Sequence, residues 1–159
     1  MYELPTSLVV NGVERKIRTD FRIILSVLIA MNDPELEQNE KSFVLLYDIY
    51  EDFDSIPEND IEEAFKKAVE FMDYGMKDSK KSSKRTVDFE QDERLLMAAI
   101  NKIVGYEVRS VEYMHWYTFM GYFMEIGEGV YSTVLNIRNK RAEGKSLEKW
   151  EQEFFNNNK

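Results

Sequence analysis

From residue 19 onward the apolar runs of the chain are bracketed by residues that start helices and residues that stop them. Thr19-Asp20 precedes FRIILSVLIAMN and Asp33-Pro34 follows it; Asn39 precedes KSFVLLYDIYEDF, and Ser55-Ile56-Pro57 breaks it. Asp88 precedes FEQDERLLMAAINKIV, with Gln91 at capping-box spacing and Gly105 behind; Ser110 precedes VEYMHWYTFMGYFMEI, which Gly127 closes. Short Asp, Asn, Ser and Thr side chains accept the amide hydrogens that a first helical turn leaves unpaired, whereas glycine and proline end the repeat. The chain is therefore expected to be mainly α.

One stretch has a different grammar. LVVNGVERKI, residues 8–17, places apolar residues on both sides of Asn11-Gly12, a dipeptide that supplies the two positive φ values of a type I′ turn, so residues 1–18 are predicted to hold a short β-hairpin.

Apolar spacing then predicts which helix faces are covered. Phe43, Leu46, Tyr47 and Tyr50 fall at i, i+3, i+4 and i+7 on a helix that faces the core, with the same four residues candidates for protein contacts. A third helix, begun by Pro57 or Asn59 and capped by Gly75, carries Ile61, Phe65, Ala68 and Met72. Leu95, Leu96, Ala99 and Ile103 mark the next, Val130, Val134 and Ile137 a shorter one, and Leu147, Trp150 and Phe154 with Glu151 the last, which starts at Ser146. Between the two helical halves, residues 76–87 form a basic loop whose charge lies in MKDSKKSSKR. With 159 residues the chain is long enough for one core, and the expected architecture is a single-domain bundle of about six helices with the N-terminal hairpin.

The chemistry on offer is sparse. The chain has no cysteine, which excludes disulfides, thiolate nucleophiles and cysteine-bound metal. Its single histidine, His115, lies in YMHWYTF, where Tyr113, Trp116, Met120 and Phe123 form one helical stripe and His115, Phe119 and Tyr122 its neighbour. Such a helix is expected to be buried on nearly every side, and the histidine to be a core or boundary residue. Glu112 and His115 have E-x-x-H spacing, but a carboxylate-bridged bundle site pairs two such units and a second histidine does not exist. DIYEDFDSIPEND has the acids of a calcium loop without its central glycine, and Gly127-Glu128-Gly129 lacks the rest of a phosphate-binding motif. No catalytic residue, metal or cofactor is expected.

Charge narrows the partners. Residues 1–75 carry 17 acidic and 7 basic side chains, a field that opposes nucleic-acid binding by this half and favours solubility or a basic protein partner. The bases at 77–85 and Arg138, Lys140, Arg141 and Lys145 leave a DNA-binding regulator as an alternative. The N-terminus does not read as a signal peptide, and no stretch reads as a membrane span.

DFEQDERLLMAAI, VGYEV, VEYMHWYTFMGYF and VLNIRNKRA, together with the opening phrase LPTSLVVNGVERKIRTDFR, resemble the bacteriophage gene product 15 family of Gram-positive phages and prophages. In that resemblance Asp92, Ala98, Ala99, His115, Trp116, Phe119 and Arg138 occupy signature positions, and Tyr117 stands where a second tryptophan is common. Asp92, Ala99, His115, Trp116, Phe119 and Arg138 are thus candidates for core or interface roles. The resemblance implies a tail-assembly chaperone or assembly factor in the bacterial host cytoplasm, binding the tape-measure or tail-tube protein without catalysis. A structural virion component at a tail junction is the alternative within the same family, and self-association is compatible with both.

Overall fold

The structure, a computed structural model, describes residues 2–73 and 87–157. The chain is mainly helical with a short N-terminal hairpin: β1 (Ser7–Val10), β2 (Val13–Lys16), α1 (Phe21–Asn32), α2 (Gln38–Ile49), α3 (Ile61–Met72), α4 (Phe89–Val104), α5 (Trp116–Met124), α6 (Val130–Ala142) and α7 (Lys149–Asn157). The described residues hold seven α-helices, in keeping with the expected bundle of about six. Gly75 and the basic segment up to residue 86 lie outside the described residues. The chain divides into two compact units, one holding residues up to 73 with Glu112–Gly121, the other residues 87–111 and 122–157.

In the first unit the hairpin turns at Asn11 and Gly12, with φ of 47° and 83°, the pair of positive values that Asn-Gly tolerates at low cost. A two-stranded ribbon is marginal by itself, and this one is tied down. Arg15, buried, meets Asp52 at 2.5 Å, and Asn11 Nδ2 donates to Asp60 at 2.6 Å. Beyond β2, the Arg18 amide donates to the Ile49 carbonyl and the Glu51 amide to the Lys16 carbonyl, so Ile17 and Tyr50 form an antiparallel bridge. That bridge is why α2 stops at Ile49. The Arg18 guanidinium then donates to the carbonyls of Tyr47, Asp48 and Tyr50, placing a cation on the negative end of α2.

α2 starts earlier than Asn39 suggests. Glu37 precedes its first turn, and the Glu40 carboxylate reaches back to the Glu37 amide at 2.8 Å. Its interior residues are Leu45, Leu46 and Ile49. The predicted stripe is therefore displaced: Leu46 and Tyr50 are buried, but Phe43 and Tyr47 are 54% and 53% exposed. Tyr50 already belongs to the extended bridge, so helical spacing does not apply to it. On α3 the buried residues are Ala64, Ala68, Phe71 and Met72, and the Tyr50 hydroxyl donates to the Ala64 carbonyl at 2.7 Å.

In the second unit Asp88 caps α4 by accepting the Glu90 and Gln91 amides, and Gly105, at φ 80°, ends it. The reciprocal bond to the Asp88 amide comes from Asp92, not from Gln91. α4 buries Leu96, Met97 and Ile100, and α6 buries Tyr131, Val134 and Ile137, whereas Val130 is half exposed. On α7, Glu151 is buried, but Trp150 is 53% exposed and its indole donates to Glu148, so it is not on the packing side. No helix among the described residues is long and apolar enough to cross a membrane.

Candidate functional site

The phrase Thr19-Asp20-Phe21 and the phrase Met114-His115-Trp116 are 93 or more residues apart in sequence and adjacent in space. The Trp116 amide donates to the Thr19 carbonyl at 2.7 Å and the Phe21 amide to the Met114 carbonyl at 3.0 Å, making an antiparallel bridge between Asp20 and His115. Asp20 serves both sides: one oxygen accepts the Arg22 amide as the cap of α1, the other the Met114 amide at 3.2 Å. The Thr19 and Tyr113 hydroxyls meet at 2.6 Å. Behind this bridge Phe21 stacks on Phe119 and Phe119 on Trp116.

This pairing corrects the expected course of residues 111–127. Ser110 ends a 3-10 turn, Val108–Ser110, and does not cap α5; the Met114 carbonyl and the Trp116 amide are bonded to Phe21 and Thr19, which holds His115 in a bridge with Asp20 ahead of the helix. α5 starts at Trp116, five residues late. Nor is the segment buried on nearly every side: His115, Trp116 and Phe119 are buried, whereas Tyr113 and Met124 are about half exposed.

His115 is the residue that begins the helix. Its carbonyl accepts the Phe119 amide, closing the first α-helical ring, and its Nδ1 accepts the Tyr117 amide at 3.0 Å. The imidazole thus does what an Asp or Asn cap does. Because Nδ1 accepts, the hydrogen is on Nε2, which donates to the Pro5 carbonyl at 2.8 Å and pins the segment before the hairpin. Both ring nitrogens are engaged and the ring is 4% exposed, so no lone pair remains for a metal or a substrate proton without undoing the cap. Glu112, its partner in E-x-x-H spacing, is exposed, and among the described residues no three His, Asp or Glu side chains converge on a metal position.

Trp116 has a similar duty. Its indole Nε1 donates to the Met72 carbonyl at 2.9 Å, satisfying one of the four carbonyls that the end of α3 leaves open. A buried tryptophan needs such an acceptor, and a helix end needs such a donor.

The other signature residues lie in the second unit. Asp92, 1% exposed, receives both arms of the Arg138 guanidinium at 2.5 and 2.7 Å. This bidentate pair locks α6 to α4, with Asp92 also closing the α4 cap. Ala99 is half-buried on α4 and Ala98 exposed; both line an apolar groove of about 600 Å³ with Leu95, Ile103, Val130 and Tyr131. Sequence reasoning did not find this groove, because its walls come from α4 and the glycine-rich 127–129 turn, whose approach no local pattern encodes.

The basic group at 138–145 is occupied. Besides Arg138, Lys140 is paired with Glu151, Lys145 with Glu143 at 2.6 Å, and the Arg141 guanidinium lies over Phe155 at 4.4 Å. Lys140 and the Glu148 amide hold the Glu151 carboxyl below the usual range, and Arg109 lowers that of Glu107 to about 2. These cations serve internal partners.

Of the protein-contact candidates, Leu46 and Tyr50 are interior, while Phe43 and Tyr47 stack at 5.5 Å and both lie edge-on to Phe53. The three rings form an aromatic patch at the surface.

A family model described as Bacteriophage Gp15 protein matches residues 1–159. No curated protein and no solved structure matches the chain.

Proposed function

Since the chain belongs to the Bacteriophage Gp15 protein family, we propose that it is a tail-assembly chaperone or assembly factor that binds the tape-measure or tail-tube protein in the host cytoplasm and catalyses no reaction. The observation that carries this reading is the employment of His115. The one imidazole of the chain caps α5 with one nitrogen and holds Pro5 with the other. Asp92 and Arg138, the best-placed charged pair, are likewise spent on joining α4 to α6. Asp92, His115, Trp116, Phe119 and Arg138 are engaged inside the protein, and the exposed groove and aromatic patch are apolar surfaces suited to covering another protein.

An assembly factor has to hold a long helical chain that would otherwise associate prematurely, and release it. That task calls for exposed apolar surface on a charged, soluble body and for no reacting group. Co-expression with the tape-measure and tail-tube proteins, followed by size-exclusion chromatography, tests it. Co-elution of either protein, with the chain absent from purified mature particles, is the expected result; elution of the chain alone at micromolar concentrations from both would overturn it, and its presence in mature particles would favour a structural part at a tail junction.

A further inference from the structure

The aromatic patch lies in the most acidic part of the sequence. Residues 33–63 contain twelve carboxylates and one base, Lys41, so this stretch carries more negative charge than the net −9 of the whole chain. Phe43 and Tyr47 are each more than half exposed, in ring contact with one another and with Phe53. Glu40 precedes Phe43 by one helical turn, and Glu51 and Asp54 flank Phe53 in sequence. Asp52 is taken by Arg15, but Glu51 and Asp54 are exposed and have no ion-pair partner among the described residues.

We infer that the Phe43–Tyr47–Phe53 surface is a docking site for an amphipathic segment of a partner protein that presents arginine or lysine among apolar side chains. This rests on the assembly reading above and names the chemistry of its partner. Ring faces attract guanidinium and ammonium groups, and the aliphatic stems of Arg and Lys cover apolar surface while their heads reach flanking carboxylates. The charge argues against the other occupants. A second copy placing the same patch face to face would bring two copies of this acidic stretch together, with Arg18 beside Tyr47 as the base at the patch's edge, and the stretch opposes an anionic lipid headgroup or a nucleic acid.

Two synthetic peptides of about 18 residues test this against the full chain: an amphipathic leucine, lysine and arginine helix, and its twin with glutamate in place of every base. Titration calorimetry on the wild type, a Phe43→Ser/Tyr47→Ser variant and a Glu51→Lys/Asp54→Lys variant supplies the readout, with urea unfolding to verify that both variants are folded; their side chains are exposed, so little loss is expected. The basic peptide should bind the wild type, weaken about tenfold between 50 and 500 mM salt, and lose about tenfold or more in each variant, while the acidic twin should not bind. Equal binding of the twins, or unchanged binding by both variants, overturns the inference. So does a concentration-dependent dimer of the wild type that the Phe43→Ser/Tyr47→Ser variant abolishes, since the occupant would then be a second copy. The assembly reading is separable. If the ring variant still co-elutes with a tail protein, this surface is not the site although the reading stands; if the wild type binds the basic peptide but no tail protein, the surface stands and the reading falls.

Discussion

The indole of Trp116 donates to the carbonyl of Met72 across 44 residues of sequence, so the residue that opens α5 also finishes α3. The two helices are therefore joined by a directional bond as well as by packing, and Trp116 is 1% exposed. Replacing it separates the two effects. Trp116→Ala is expected to cost about 3–5 kcal/mol through lost burial and the cavity left behind. Trp116→Phe keeps most of the apolar volume but leaves the Met72 carbonyl without its donor, a loss of about 1–3 kcal/mol. Urea unfolding followed by far-UV circular dichroism measures both, and the ordering Ala worse than Phe is the check.

Asp92 and Arg138 should behave as a coupled unit. Removing only the carboxylate takes the bidentate acceptor from a guanidinium that is 16% exposed, and also opens the cap of α4 at the Asp88 amide. Asp92→Ala is expected to lose about 3–5 kcal/mol. Asp92→Ala combined with Arg138→Ala should lose less than the sum of the two single losses, because the interaction they share is counted in each single loss but is lost only once. A double-mutant cycle in denaturant gives the coupling directly; additive losses would show that the pair is not a unit.

The pair of Glu151 and Lys140 sets a pH dependence. The carboxyl of Glu151 is held below its ordinary value of 4.5, chiefly by Lys140 and then by the Glu148 amide. A carboxyl depressed in the folded state contributes stability that is present above its unfolded pKa and is lost as pH falls through the folded one. The difference in unfolding midpoint between wild type and Glu151→Gln should thus be largest near neutrality and shrink as the pH is lowered below about 4. Midpoints measured across this range check the sign, and a difference that grows on acidification would contradict it.

The turn of the hairpin gives a smaller, local expectation. Gly12 sits at φ 83° with open space where a Cβ would point, so Gly12→Ala meets no steric neighbour and its cost comes from the backbone conformation alone. A loss of about 1–2 kcal/mol is expected, read from the urea midpoint, with the helical circular dichroism of the native state unchanged.

Local signals in the sequence carried as far as local physics reaches. Asn11-Gly12, Asp20, Asp88 and Gly105 each act on residues a few positions away, and the hairpin, the start of α1 and both ends of α4 are where they indicate. The start of α5 was hidden because the bonds that hold Met114 and His115 ahead of the helix come from residues 19–21, at a distance no periodicity reports. The face of α2 was misjudged for a related reason. Spacing groups Phe43 with Leu46 and Tyr47, but whether a neighbour covers that stripe depends on where α1 and α3 lie, and they cover Leu45, Leu46 and Ile49 instead. The burial of His115 is legible in the sequence, but its place as a helix cap is not, since the capping preference favours Asp, Asn and Ser.

The most direct measurement is the binding of a co-expressed tape-measure protein by a His115→Asn variant. Asparagine can accept the Tyr117 amide in place of Nδ1 but does not reach the Pro5 carbonyl as the ring does, and it has none of the acid, base or metal chemistry of imidazole. The expected result is a folded protein, less stable by about 1–2 kcal/mol, that co-elutes with its partner as the wild type does. A variant as folded as the wild type that has lost all partner binding would contradict a purely architectural His115.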